Sequence, residues 1–202
     1  METPKDIVRK GYNQCARDYL DNRGLFKNIK YLDDLISKLH DRAKILDLGC
    51  GAGIPVDRYL LEKNFEVIGV DISEEQIFLA KKNLPKGDFF VGDMSKINFP
   101  ESSFDAVISF YAIFHLPREE HVSVLKNIYS FLKPGGFLLI TMGSSDWEGT
   151  EKDFHGVKMF WSHYGREKNL ELIKSAGFNI ITEEIDTSGG EKHLVILATK
   201  SI

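Results

Sequence analysis

The fold is decided by the stretch Lys44-Ile45-Leu46-Asp47-Leu48-Gly49-Cys50-Gly51-Ala52-Gly53. Its apolar residues Ile45, Leu46 and Leu48 predict a short buried strand. The glycines that follow carry no Cβ, so the chain can bend sharply there and a ligand can approach the backbone closely. A helix predicted over residues 56–63 comes next, and the N–H groups at a helix start favour a carboxylate or another anion. The stretch therefore predicts a strand, a ligand-binding turn and a helix.

A second predicted strand, residues 65–70, runs into Asp71, which lies 22 residues after Gly49. In nucleotide-binding α/β folds, an acidic side chain at this place accepts hydrogen bonds from ribose hydroxyls. A phosphate would be repelled there, so Asp71 favours an adenosine with a free ribose. The alternative role of Asp71 is to cap the next helix. Ser73 fits that role better, because Gln76 three residues later completes a capping box.

The glycine spacing separates two classes of cofactor. The dinucleotide fingerprint G-x-G-x-x-G/A requires a small residue at position 54 or 56, and the chain has Ile54 and Val56 there. The sequence also lacks the G-x-x-x-x-G-K-[ST] loop that binds nucleoside triphosphates. A nucleoside without phosphates therefore fits the turn better.

Four segments of the chain resemble, in order, the motifs of the class I S-adenosylmethionine-dependent methyltransferases. Residues 45–53 resemble motif I, and residues 89–94 resemble the third strand with its acidic residue. Residues 104–116 resemble the fourth strand and the turn beneath the reacting methyl group, and residues 132–140 resemble the turn into the fifth strand. The resemblance covers roughly residues 40–200.

The N-terminal segment Gly11-Tyr12-Asn13-Gln14-Cys15-Ala16-Arg17-Asp18-Tyr19-Leu20 more loosely resembles the tyrosine-containing first helix of members that act on small molecules. It departs from that pattern at Asn13 and Leu20. An aspartate often follows the tyrosines of that helix in the family.

The resemblance implies S-adenosyl-L-methionine as the cofactor, S-adenosyl-L-homocysteine as the product, and no metal. In the family, the residue corresponding to Asp93 meets the adenine amino group and the next residue, Met94, packs on the ring. The predicted cofactor site consists of Tyr19, Asp47, Gly49, Cys50, Gly51, Gly53, Asp71, Ile72, Gln76, Asp93, Met94, Ser109, Phe110 and Tyr111. Cys50 is interpreted as a small residue where bulk would block the cofactor, rather than as a nucleophile.

The alternation of strands and helices predicts an α/β fold with a Rossmann-like open sheet and helices on both faces. The sheet is mostly parallel and has an antiparallel last strand. Parallel strands are predicted at about 43–48, 65–70, 88–92, 104–109 and 136–142, and a hairpin of two final strands flanks Ser188-Gly189-Gly190. A helix is predicted to start at Pro117, with an apolar stripe formed by Val122, Leu125, Ile128, Tyr129 and Leu132.

Composition and length predict one domain over residues 1–202, with an N-terminal helical lid (1–40) and a Rossmann-like core (41–202). The chain has 202 residues, of which 43% are hydrophobic and 28% charged. These values are typical of a globular protein with one sizeable core. We expect a cytoplasmic protein, because the N-terminus lacks the apolar core of a signal peptide and no apolar run is long enough to span a membrane. Two cysteines are too few for a disulfide framework or a zinc cluster.

The charge distribution favours a small-molecule methyl acceptor over nucleic acid. The formal net charge is −4, and the basic residues are scattered rather than gathered on one face. Family members that methylate amino groups of nucleobases or glutamine commonly carry an Asn/Asp-Pro-Pro-aromatic tetrad after the fourth strand. This chain has Ser109-Phe110-Tyr111-Ala112 instead. The sequence leaves open whether the protein is a monomer or a homodimer.

Residues 143–161 form a long connection that mixes aromatic and polar side chains, and long loops often bind ligands. With the N-terminal helix, this segment could form the acceptor pocket. The alternative is that its aromatic residues simply pin the loop to the body of the protein. These residues are Trp147, Phe154, Phe160 and Trp161.

Methyl transfer from a sulfonium is an in-line displacement, so alignment and desolvation carry most of the catalysis. If a base is used, His115 just past the fourth strand is the best placed. It could also line the pocket or simply pack. Weaker candidates are His155, His163, Tyr111 and Tyr164. Two other functions stay open: a non-catalytic S-adenosylmethionine-binding module, and a nicotinamide-dependent oxidoreductase, which the missing third glycine disfavours.

Overall fold

A computed structural model describes residues 2–22 and 29–202 of the chain. The helices are α1 (Pro4–Asn22), α2 (Ile29–Ile36), α3 (Val56–Glu62), α4 (Glu74–Asn83), α5 (His121–Phe131) and α6 (Arg166–Ser175). The strands are β1 (Lys44–Leu48), β2 (Glu66–Asp71), β3 (Asp88–Val91), β4 (Phe104–Ser109), β5 (Leu132–Gly143), β6 (Trp147–Phe154), β7 (Val157–His163), β8 (Asn179–Asp186) and β9 (His193–Thr199).

The main sheet has seven strands in the order β3-β2-β1-β4-β5-β9-β8. Strands β1 to β5 pair in parallel, and the last strand, β9, pairs antiparallel with both of its neighbours. Successive residues of a strand point to opposite faces, so Leu46 joins a buried cluster with α5 and α6, and Ile45 joins one with α2 and α3. The predicted Rossmann-like sheet with helices on both faces is confirmed.

Glycines in the turn after β1 have different neighbours. Gly49, Gly51 and Gly53 all have positive φ angles, of 86°, 54° and 76°. A Cβ on Gly49 would lie 2.2 Å from the Ala112 Cβ, and one on Gly53 would lie 2.6 Å from Leu84 Cδ1. On Gly51 the nearest atom would be Gln76 Oε1, at 3.6 Å. Gly49 and Gly53 are therefore needed for packing, whereas a Cβ on Gly51 would make only ordinary van der Waals contact with Gln76.

The structure corrects the prediction of a long loop over residues 143–161. Most of this segment belongs to a two-stranded antiparallel hairpin, β6–β7, in which Trp147 pairs with His163. Met159 and Phe160 on β7 pack against Val8 and Tyr12 of α1. The residues of β6 are almost all exposed, so this strand lacks the alternation of apolar and polar residues that would have predicted it.

The helix after Pro117 begins later than the sequence predicts. A 3₁₀ turn, Arg118–Glu120, separates the proline from α5. The buried face of α5 includes His121 and Val124 in addition to the predicted Leu125 and Ile128. Of the other predicted members of that stripe, Leu132 is buried, whereas Val122 and Tyr129 are only partly buried. In residues 2–22 and 29–202, no helix is long and apolar enough to cross a membrane.

We predict that Gly49→Ala and Gly51→Ala differ in their effect on the free energy of unfolding. Both changes place a residue with a side chain in the left-handed region of backbone conformation, which costs about 1–2 kcal/mol of stability. Gly49→Ala also forces two Cβ atoms to 2.2 Å, and overpacking of this kind costs about 1–3 kcal/mol more. Urea unfolding of both variants measures the difference. Equal losses of stability would contradict the packing role of Gly49.

Candidate functional site

A cavity of about 920 Å³, part of it open to solvent, lies at the carboxyl ends of β1, β2, β3 and β4. Helix α1 covers it with Lys5, Val8, Tyr12, Tyr19 and Leu20. The lining includes these predicted site residues: Tyr19, Asp47, Gly49, Cys50, Gly51, Asp71, Ile72, Gln76, Asp93, Met94, Phe110, Tyr111 and His115. Helix α2, the other helix of the predicted lid, instead packs on a face of the sheet through Leu32 and Leu35.

Two predicted site residues lie outside the cavity lining. Gly53 faces Leu84 and Asp57, and its role is to let the turn pack closely. Ser109 is buried at the end of β4, and its Oγ donates a hydrogen bond of 2.8 Å to the Leu48 carbonyl. Both residues therefore shape the strand ends that frame the cavity.

Asp71 ties the end of β2 to the glycine turn. Its Oδ2 accepts a hydrogen bond from the Gly51 N–H, and its Oδ1 accepts one from the Ser73 N–H, both at 2.9 Å. Burial raises the pKa of Asp71 to about 6, although these backbone donors oppose the shift. The carboxylate keeps further lone pairs, so it can accept hydrogen bonds from a ligand as well.

Gln76 presents a buried amide to the cavity. Ser73 caps α4 as predicted, because its Oγ accepts a hydrogen bond from the Gln76 N–H. The other half of the predicted capping box, a bond from the Gln76 side chain back to Ser73, is wrong. The Gln76 side chain is 1% exposed, and neither its oxygen nor its nitrogen has a hydrogen-bond partner among the described residues. Leaving a buried amide unpaired costs about 1–3 kcal/mol. Gln76 therefore indicates a polar ligand in the cavity.

Carboxyl groups surround the glycine turn. Asp47 is buried in β1 and lines the cavity, and Asp57 is fully buried in the first turn of α3. Burial and the adjacent Asp47 carboxyl raise the pKa of Asp57 well above its ordinary value. Burial and these carboxyls also raise the pKa of the Cys50 thiol, which disfavours the thiolate that a nucleophile needs. The electrostatics of this wall favour a ligand group with positive charge.

Asp93 follows β3 in a dense polar network. Its Oδ1 accepts hydrogen bonds from the Ser95 N–H and hydroxyl, and its Oδ2 accepts one from Lys5 Nζ. Burial alone would raise the pKa of Asp93, but the bonds from Ser95 and Lys5 outweigh it and lower the pKa. Asp93 is thus held as a carboxylate, which accepts hydrogen bonds and donates none.

His115 forms two hydrogen bonds that fix its tautomer. Its Nδ1 lies 2.8 Å from the Phe160 carbonyl oxygen, which can only accept, so Nδ1 carries the proton. Its Nε2 lies 2.8 Å from the Tyr12 oxygen and accepts a hydrogen bond from that hydroxyl. His115 is 5% exposed, and burial lowers its pKa to about 4. The imidazole is therefore neutral at physiological pH, and its free lone pair is engaged by Tyr12.

Sequence reasoning missed Tyr12 and Lys5, although Tyr12 lies in the motif-like segment of α1. Of the weaker candidates for a base, Tyr111 lines the cavity, whereas His155, His163 and Tyr164 are absent from its described lining. His155 binds Asp18 of α1, and His163 donates from Nδ1 to the Ser145 carbonyl at 2.6 Å.

Aromatic side chains join α1 to the β6–β7 hairpin around the cavity. The Tyr12 ring lies 5.2 Å from that of Tyr19 and 6.0 Å from that of Phe154, measured between centroids. The Trp161 ring lies 4.2 Å from His115. Trp147, Phe154, Phe160 and Trp161 are absent from the described lining, and Trp147 is the most exposed of them. The contacts of Phe154, Phe160 and Trp161 are those expected of residues that pin the hairpin to the body.

Comparison with known sequences gives matches to methyltransferases. A family model described as a methyltransferase domain matches residues 45–136. The phosphoethanolamine N-methyltransferase of Plasmodium falciparum is 33% identical over 173 residues, which cover 84% of this chain and 59% of that protein. An uncharacterized methyltransferase of Oceanobacillus iheyensis is 27% identical over 164 residues, covering 79% of this chain and 68% of that protein.

Solved structures show the same fold. A SAM-dependent methyltransferase from Methanosarcina mazei aligns with a TM-score of 0.74 at 24% identity, covering 88% of this chain and 99% of that chain. The magnesium protoporphyrin IX methyltransferase of Synechocystis PCC 6803, solved with bound SAH, aligns with a TM-score of 0.75 at 17% identity, covering 98% and 100%. Together with the cavity, these similarities lead to one conclusion: residues 45–136 contain a methyltransferase domain, and the chain has the fold of S-adenosylmethionine-dependent methyltransferases.

Proposed function

We propose that this protein transfers a methyl group from S-adenosylmethionine to a small-molecule acceptor. One observation carries the proposal: the residues that the methyltransferase motifs predict line the same cavity as the unpaired amide of Gln76. An occupied polar ligand site explains why a fold would keep such an amide buried.

The residues of the cavity fit this cofactor. Gly51 leaves room for a close approach to the backbone, and Gln76 offers a donor and an acceptor. The Asp47 carboxyl, which lines the cavity, suits a ligand that carries an ammonium and a sulfonium. We assign Asp71 to the ribose hydroxyls and Asp93, with Met94, to the adenine. When bound, S-adenosylmethionine supplies an electrophilic methyl group on a positively charged sulfur.

The hydrogen bonds of His115 change its proposed role. A general base works best with a pKa near the working pH, and burial holds the pKa of His115 at about 4. We therefore assign His115 as a positioning residue that orients the Tyr12 hydroxyl. The Tyr12 oxygen can then accept a hydrogen bond from an acceptor hydroxyl, amine or thiol and direct its lone pair toward the methyl group. In-line alignment of this kind supplies much of the catalysis in a displacement.

Turnover tests the proposed function. The protein is incubated with methyl-labelled S-adenosylmethionine and a metabolite extract, and labelled products are identified by mass spectrometry. Separate reactions contain phosphoethanolamine or a sterol, because similar proteins carry the names of those acceptors. A labelled small molecule supports the proposal. Cofactor binding without any labelled product would instead support a non-catalytic binding module, and binding of NAD alone would support an oxidoreductase.

We predict that the affinity for S-adenosylhomocysteine rises as the pH is raised through about 6, where Asp71 ionises. Only the ionised carboxylate accepts from both ribose hydroxyls. Asp71→Asn should weaken binding by about ten- to a hundredfold at pH 8 and reduce this pH dependence, because a hydrogen bond to a charged group is worth about 1.5–3 kcal/mol. Calorimetry from pH 5 to 8 measures both effects, with the exposed Asp88→Asn as control. An unchanged affinity in Asp71→Asn would remove Asp71 from the site.

We predict that Tyr12→Phe and His115→Ala each lower kcat by about ten- to a hundredfold, the cost of losing one positioned hydrogen bond. Because the two residues act as one unit, the double variant should be little worse than either single variant. The shape of the pH–rate profile should stay the same. A profile that loses an ionisation in His115→Ala would show that His115 acts as a base.

A further inference from the structure

Lys5, in the first turn of α1, lines the cavity and joins α1 to two other parts of the chain. Its ammonium lies 3.1 Å from Asp93 Oδ2, 2.6 Å from Ser95 Oγ and 2.5 Å from Glu120 Oε2. These partners are 88 to 115 residues away along the chain. The three N–H donors of the lysine are thus all used within the fold.

The environment of Lys5 differs from that of an ordinary surface lysine. Its side chain is 17% exposed, and that of Asp93 is 14% exposed. Burial alone would lower the pKa of Lys5, but the hydrogen bonds to Glu120 and Asp93 outweigh it and raise the pKa. Both groups of the pair are therefore held in their charged forms. Partly buried ion pairs with several hydrogen bonds constrain geometry much more than exposed pairs do.

The hydrogen bonds of the Asp93 carboxylate leave Oδ2 able to accept a further hydrogen bond. Within the described part of the chain, its Oδ1 accepts two hydrogen bonds, both from Ser95, whereas its Oδ2 accepts one, from Lys5. A carboxylate oxygen can accept two hydrogen bonds, so Oδ2 can take one more. The other cation near this oxygen, Lys96, is mostly exposed and lies 3.9 Å away, beyond hydrogen-bond distance.

We infer that Lys5 is a positioning residue for the adenine end of the cofactor site, and that it makes the docking of α1 part of cofactor binding. This inference rests on the proposed role of Asp93. Lys5 fixes the rotamer of Asp93 so that Oδ2 presents its remaining lone pair to an amino group of a purine. A purine with a carbonyl oxygen at that place is rejected, because the carboxylate offers it no donor.

The claim that α1 docking contributes to cofactor binding follows from the other residues of this helix. The same helix brings Tyr12 to His115 and Tyr19 to the cavity. Asn13 fastens its middle by accepting hydrogen bonds from the Ser73 hydroxyl and the Glu75 N–H. Lys5 is the corresponding tie at the start of the helix. Without it, the first turns of α1 should detach more often from the cavity wall.

The test compares Lys5→Met, which keeps the apolar stem, with Lys96→Met, which removes the other cation near Asp93. Calorimetry measures the Kd of each variant for S-adenosylhomocysteine and for S-inosylhomocysteine, which has a carbonyl in place of the purine amino group. Lys5→Met should weaken S-adenosylhomocysteine binding by about tenfold or more, the loss expected for one charged hydrogen bond. The preference for the adenosyl ligand should shrink, and amide exchange in residues 4–12 should speed up. Lys96→Met should change the two Kd values less than twofold.

The outcomes separate this inference from the proposed function. If the unaltered protein binds neither ligand, the proposed function fails. If the unaltered protein prefers the adenosyl ligand and Asp93→Asn removes that preference, the role of Asp93 is supported. An unchanged Kd and preference in Lys5→Met would then overturn the inference. A loss of equal size for both ligands would also overturn it, since a merely structural tie does not distinguish purines. Lys5→Gln serves as a second variant if Lys5→Met fails to fold.

Discussion

The hydrogen bond from the Gly51 N–H to the Asp71 carboxylate, 2.9 Å long, joins the ends of the two strands on which the cavity depends. Backbone bonds from Gly49 and Cys50 to the Val70 carbonyl reinforce this connection. Because Gly49 also fits against Ala112, the turn after β1 is fixed by β2 on one side and by the segment after β4 on the other. One wall of the cavity is therefore backbone, with Gly51 open toward its interior.

The other wall is brought in by α1, which is attached at several points along its length. Lys5 binds the Asp93 region, Asn13 binds the start of α4, and the middle of the helix packs on β7. These contacts place Tyr12 on His115, and the Phe160 carbonyl of β7 fixes the other nitrogen of that imidazole. The hairpin thus supports the position of the tyrosine hydroxyl. We expect acceptor specificity to depend on this α1–hairpin unit more than on the sheet.

The charges around the cavity suit a reaction in which alignment matters more than proton transfer. The carboxyls of Asp47 and Asp71 line one wall of the cavity, and the buried His115 stays neutral. A positively charged cofactor is attracted by such a wall. The chemistry then requires few specialised side chains, which is consistent with the absence of a well-tuned base among the described residues that line the cavity.

The sequence by itself determined the strands of the main sheet, the glycine turn, the acidic residue that ends β2 and the Ser73 cap, because each depends on residues within a few positions of one another. Only the tertiary structure decided the β6–β7 hairpin, since the polar residues of β6 carry no strand pattern. It also decided that Gln76 points into the cavity rather than back to its cap, and that Gly53 and Ser109 lie outside it. The pairs Tyr12–His115 and Lys5–Asp93 join residues 103 and 88 positions apart. Contacts over such separations are set by how α1 packs across the finished sheet, and no local pattern encodes that packing.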